Sequence, residues 1–206
     1  MKILVVSEGK HELNLDDNEP RNGPLVRLIA RVIEAHGSVS LEFERRPVSA
    51  LPPRMMGSGK AGNYEHRAMA WVRFAEIEKF DAIVLLVDQD KSPARREGLD
   101  AAQINTRYSL PRAMGLAVKT FDAWMLADEQ AISTAINKTV MRQKSPEAIK
   151  DPKQVLHSLI DGASEPRTIV YLLIAEYTNL DTLCERCPEG FGPFHTRLAS
   201  LGSHAS

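Results

Sequence analysis

Ile3-Leu4-Val5-Val6 runs without a polar break, the pattern of a strand over residues 2–6 buried on both faces. Leu25, Leu28, Ile29, Val32 and Ile33 then fall at helical spacing, with Pro24 suited to a first turn and Gly37 to a stop. This spacing predicts an amphipathic helix over 24–36. Val39, Leu41 and Phe43 alternate with Ser40 and Glu42, the period of a half-buried outer strand. Pro47, Pro52, Pro53, Gly57 and Gly59 make residues 45–60 read as a loop. Met69, Val72, Phe74 and Ile77 support a helix over 62–79, and Ala82 to Val87 is the strongest strand pattern in the chain. A helix over 94–106 and a short strand through Leu116, Ala117 and Val118 follow.

The resulting order, βαβ-loop-αβαβ, predicts an α/β protein with a largely parallel, Rossmann-like central sheet flanked by helices. Beyond residue 120 the strand signal fades. Residues 121–136, 152–160, 168–177 and 194–201 read as helices, and 202–206 have little to bury. Residues 1–120 therefore form the α/β core, and 121–206 a helical C-terminal extension packed on it within a single compact domain.

Composition changes this picture little. The chain has 206 residues, 43% hydrophobic and 26% charged, with a formal net charge of −1, and so falls in the ordinary globular range. With no global basic excess, contact with nucleic acid has to come from a local patch. No run of eighteen apolar residues and no apolar leader is present, so a cytoplasmic protein without membrane contact is expected. Cys184 and Cys187 form a lone CxxC and read as reduced packing thiols, since a zinc site would need a second pair.

Charge placement is more informative. The first strand ends in SEGKHE, which sets Glu8 and Glu12 just past it, and the strand at 82–87 breaks into VDQDKS, carrying Asp88 and Asp90. Open parallel sheets bind ligands outside the carboxyl ends of their strands. Helix capping by the aspartates, with the glutamates in water, is the plainer alternative. If the acids instead converge within about 4 Å, each like-charge pair costs on the order of 4 kcal/mol at an effective dielectric of 20. Proton uptake or a divalent cation then has to relieve the cluster, and all-oxygen donors favour Mg²⁺ or Mn²⁺ over zinc.

A Glu-Gly after the first strand and an Asp-x-Asp after a later central strand resemble the Toprim fold of topoisomerases, primases and overcoming-lysogenization-defect nucleases. SEGKHE, VDQDKS and KTFDAWMLAD together are similar to a Toprim-related family, domain of unknown function 4276, as is the Cys-Pro-x-x-Phe-x-x-Phe element from Cys187 to Phe194. That family usually has a glutamate before Ala-Trp, where this chain has the shorter Asp122. The resemblance implies metal-dependent cleavage of phosphodiesters in DNA or RNA. Glu8 would serve as ligand or general acid/base, Glu12 as a further ligand, Asp88 and Asp90 as Mg²⁺ ligands, and Asp122 as a candidate ligand. Lys119 would stabilise charge on the phosphate. It also implies an ATPase partner and a place as effector in bacterial anti-phage defence. One alternative is a non-catalytic module that binds the ATPase. Another is a phosphorylation receiver, which would need adjacent acids where this chain has Glu-Gly.

The stretch RRPVSALPPRMMGSGK carries Arg45, Arg46, Arg54 and Lys60 without an acid, a patch able to follow a phosphate backbone but lacking an aromatic to stack a base. Its GSGKAG is a poor phosphate loop, because Arg54 and Ala61 stand where a glycine and a Ser or Thr are needed. His11 has no second histidine at ligand spacing. Trp71 and Trp124 read as core.

Overall fold

The computed structural model describes residues 1–15, 22–56, 64–90 and 92–204. In chain order the elements are β1 (Lys2–Ser7), α1 (Lys10–Leu13), α2 (Pro24–His36), β2 (Glu42–Pro47), α3 (Pro53–Met56), α4 (Tyr64–Ile77), β3 (Ala82–Asp88), α5 (Pro93–Ile104) and β4 (Arg112–Ala117). The C-terminal part adds α6 (Asp122–Met125), α7 (Glu129–Ile136), α8 (Pro152–Ile160), α9 (Arg167–Tyr177), α10 (Leu180–Arg186) and α11 (Phe191–His204). The four strands form one all-parallel sheet in the order β2-β1-β3-β4. The chain is thus an α/β protein of Rossmann-like architecture.

Strand parity divides the core in two. Ile3, Val5, Val84 and Leu86 face α2 and the C-terminal helices, whereas Leu4, Val6, Ile83, Leu85 and Val87 face α4 and α5. Strands covered on both faces need no polar alternation, which is why β1 and β3 are continuous apolar runs. The helical extension completes the first face, with α11 packing on both α2 and β4. Gly115 permits this approach: a Cβ there would stand 2.6 Å from the ring of Phe194. Among the described residues no helix is long and apolar enough to cross a membrane.

The helices α1, α3 and α10 are not among the expected elements, and α11 runs to His204 past the expected stop at 201, because Gly202 is buried against the end of α2. Three further boundaries differ from the sequence expectation, each for a physical reason. Arg45, Arg46 and Pro47 belong to β2 rather than a loop, because pairing with β1 continues to Ser7↔Pro47. Pro47 is tolerated as the last residue of an edge strand. β4 begins at Arg112, whose buried guanidinium donates to the carbonyls of Leu110 (3.1 Å), Ala102 (3.3 Å) and Asn105 (3.2 Å). A strand opened by an arginine does not register as an apolar run. The helix expected over 121–136 is two, broken where Asp128 caps α7 through the N–H groups of Gln130 and Ala131 and also accepts from the N–H of Asn179.

Candidate functional site

After β1 the chain moves to one side of the sheet to form β2, and β3 lies on the other side of β1. The carboxyl ends of β1 and β3 therefore flank the point where strand order reverses, the usual ligand crevice of an open parallel sheet. A cavity of about 310 Å³ opens there, with Glu12, Asp88 and Asp122 among its lining residues.

Glu12 is placed by local chain geometry. Gly9 is the N-cap of α1 and Glu12 its third residue, so the carboxylate folds back to the N–H of Gly9 in the manner of a capping box and also accepts from the Ser7 hydroxyl. A Cβ at position 9 would stand 2.3 Å from Glu12 Oε1, so any side chain there would displace the Glu12 carboxylate. Arg45 holds the other end of this short helix, donating to the carbonyls of Leu13 (2.9 Å) and Asn14 (3.3 Å). The side chain expected to track phosphate thus props up the helix that bears Glu12. Glu12 is only 8% exposed. Burial lifts its carboxyl to about 8, with Asp88 and Asp122 adding to the rise.

Asp88 ends β3 and accepts from the N–H of Phe121 at 2.9 Å. Burial, together with Glu8, Asp90 and Asp122, carries its carboxyl to about 7 against the lowering effect of that hydrogen bond. Asp122 opens α6 and is held by the hydroxyls of Thr120 (3.2 Å) and Tyr171. The phenol of Tyr171 is pushed upward by burial and by Asp122, so it remains a donor at neutral pH. The cavity floor is thus rich in carboxylate oxygen and short of counter-charge.

Glu8 and Asp90, expected beside these acids, are placed differently. Arg95 of α5 bonds Glu8 at 2.7 Å and Asp90 at 3.0 Å, and its guanidinium also meets the carbonyl of Asp88 and the hydroxyl of Tyr64. Glu8 turns toward the N–H of Asp88 at 3.2 Å. Neither Glu8 nor Asp90 lines the cavity. Lys119, in the left-handed region with φ 63°, is exposed outside the lining.

The expected basic loop is dispersed. Arg46 pairs with Glu44 at 2.6 Å and lies over the ring of Phe74, and Arg54 is an exposed residue of α3. Lys60 lies outside the described residues. Among the described residues the cavity is also lined by Lys153 and Arg167 and by two histidines, His11 and His157. Sequence reading missed Lys153, His157 and Arg167 along with Tyr171 and Arg95, although Lys153 and His157 already stood at the i, i+4 spacing of one helix face.

The GSGKAG stretch lies outside the described residues, and the aromatic and cysteine elements pack the extension. Trp124 packs on Phe191 and Phe194 with ring centroids 5.2 and 5.6 Å apart. Glu147 accepts from the N–H groups of Glu189 (3.1 Å) and Gly190 (2.7 Å). Cys184 and Cys187 are free, and burial pushes the Cys187 thiol upward. Together these contacts fix the extension that walls the cavity.

Fold and site define a Rossmann-like α/β protein with an acidic cavity at its strand-order switch. The chain belongs to the family described as Domain of unknown function (DUF4276), whose model matches residues 36–199. The match includes Asp88, Asp90 and Asp122 and leaves β1, Glu8 and Glu12 outside it. Searches of curated proteins and of solved structures gave no match.

Proposed function

We propose that this protein is a Mg²⁺- or Mn²⁺-dependent nuclease of Toprim type, hydrolysing phosphodiesters of DNA or RNA as the effector of an anti-phage system with an ATPase partner. The observation that carries this reading is the pair of buried carboxylates, Glu12 and Asp88, both raised above the ordinary carboxylate range and sharing one cavity at the strand-order switch. Acids whose charge is resisted by burial and by each other gain most from a cation. Among the described residues no group of three or more His, Cys, Asp or Glu side chains is assembled to hold a metal. Such a site suits magnesium, which takes one or two carboxylates and leaves its other positions to water and substrate phosphate.

On this reading Asp88 and Glu12 hold the cation, with Asp122 oriented behind them by Tyr171 and Thr120. A bound divalent cation would polarise the phosphate and lower the pKa of its water. Phe121 N–H orients the carboxylate of Asp88, and residues of α8 and α9 complete the wall of the cavity. Glu8, held by Arg95, is a positioning residue for the β3 end rather than a ligand.

A second reading, a non-catalytic module docking on the ATPase, draws support from Arg95, which already neutralises Glu8 and Asp90. Cleavage of labelled single- and double-stranded DNA and RNA separates the two readings, assayed with Mg²⁺ or Mn²⁺ and with the ATPase added. Metal-dependent cleavage lost in Asp88→Asn is expected. An Asp88→Asn protein that cleaves at the wild-type rate overturns the assignment of the site to Asp88, and a wild type inert with its partner present overturns the nuclease reading.

A further inference from the structure

The acid floor alone would repel a phosphate, so the cations of the extension matter. A second, open groove of about 560 Å³ is lined by Asp151, Lys153, Gln154, His157, Ser158, Asp161 and Arg167. Among the described residues, Lys153, His157 and Arg167 are the ones that line both this groove and the strand-end cavity. The junction between the two spaces is therefore built from basic side chains, although acids line the cavity on one side and the groove on the other.

Helix geometry explains the convergence. Lys153 and His157 are one turn apart on α8, and Arg167 and Tyr171 one turn apart on α9, so each helix presents one stacked pair to the same wall. The His157 and Tyr171 rings face one another with centroids 6.5 Å apart. Tyr171 in turn donates to Asp122 on the floor. Lys153 and Arg167 are exposed and form no ion pair among the described residues. Asp151 is occupied as the N-cap of α8, accepting from Gln154 N–H at 2.9 Å.

We infer that Lys153, His157 and Arg167 form a phosphate subsite through which one nucleic-acid strand passes from the open groove to the acid floor. The assignment rests on the nuclease reading for its substrate class. Lys153 and Arg167 pair with backbone phosphates, and His157 offers a ring N–H between them. The strand approaches the carboxylates only because these cations offset the repulsion from the floor. The helical extension, and not the stretch around Arg45, thus carries the substrate contacts.

Binding of a fluorescein-labelled single-stranded oligonucleotide in EDTA, followed by anisotropy across a salt series, tests the subsite without catalysis. The full-length wild type, Lys153→Ala/Arg167→Ala and Asp88→Asn are compared, and thermal melts confirm folding of each. The double variant should bind about tenfold or more weakly and lower the salt slope by about 1.4, which is two phosphate contacts at about 0.7 each. Lys153→Arg/Arg167→Lys should keep most of the affinity, and Asp88→Asn should bind at least as well as wild type. A double variant with wild-type affinity and slope overturns the subsite. Equal competition by inorganic phosphate and unlabelled oligonucleotide overturns the strand assignment in favour of a free-phosphate site. If the wild type with its partner cleaves no nucleic acid while the double variant loses binding, the nuclease reading falls and the strand-binding groove stands.

Discussion

Two sets of acids lie at the carboxyl edge of the same sheet and have different surroundings. Glu12, Asp88 and Asp122 line the cavity, and the first two are held far above the ordinary carboxylate range by burial and mutual repulsion. Glu8 and Asp90 lie outside it, bound to a single guanidinium from α5. Arg95 thus divides the strand-end acids into a half that it pairs with directly and a more buried half that forms no ion pair among the described residues. The proposed chemistry falls to the second half, where charge is least compensated by a direct partner.

The largest effect expected from this contrast is on rate. Asp88→Asn keeps an oxygen to accept from Phe121 N–H but loses the charge, and should lower metal-dependent cleavage by about a thousandfold or more. Asp90→Asn should stay within about tenfold of wild type. Side-by-side kinetics decide the matter, and equal losses would erase the distinction between the halves.

Next in size is a pH dependence of stability without metal. Glu12 titrates near 8 in the folded protein against 4.5 for an unperturbed glutamate. The unfolded chain therefore gives up this proton first, so stability falls as pH rises from about 4.5 to about 8 and levels off above. The cost approaches on the order of 4 kcal/mol. Melting in EDTA across this range should show the decline, and Glu12→Gln should make it shallower and end it near pH 7, leaving the part contributed by Asp88. A wild-type melting temperature that rises steadily from pH 5 to 8 would contradict the geometry of the floor.

Metal should reverse the same decline. Mg²⁺ that binds only the folded state stabilises it in proportion to RT ln(1 + [Mg²⁺]/Kd), about 2.7 kcal/mol at a hundredfold excess over Kd. Because protons compete for the same oxygens, the rise in melting temperature should be larger at pH 8 than at pH 5.5. It should persist in Asp90→Asn and vanish in Asp88→Asn.

Much of the fold was legible because apolar periodicity is a local signal. The runs at β1 and β3 and the stripe of α2 name their own partners, and the strand-end location of Glu8, Glu12, Asp88 and Asp90 follows from parallel topology. The partition between them was not legible, since it depends on Arg95, which lies in a helix that reads as ordinary amphipathic surface. β4 was half hidden because Arg112 satisfies carbonyls inside the protein instead of marking an exposed end. The basic wall was missed for a different reason. Lys153, His157 and Arg167 come from two helices whose approach to the β1 end is set by long-range packing, including that of Trp124 on Phe191 and Phe194. The more compact basic stretch around Arg45 drew attention by sequence proximity alone.

The smallest effects lie within the compensated half, where Arg95 itself is 13% exposed while its two acid partners differ. Arg95→Gln removes the counter-charge of Glu8 and leaves Glu8, at 29% exposure, and the Asp88 carbonyl short of a donor, a loss of about 1–3 kcal/mol. Asp90 is 58% exposed, so water replaces most of what Arg95 supplies and Asp90→Asn should cost about 0.5 kcal/mol or less. Asn also suits the left-handed backbone found there, φ 47°, which most other residues would strain. Denaturant unfolding of both variants near pH 7 in EDTA gives the comparison. A cost for Asp90→Asn as large as that for Arg95→Gln would mean that Arg95 acts mainly through Asp90, and that the guanidinium anchors the turn after β3 rather than the carboxylate after β1.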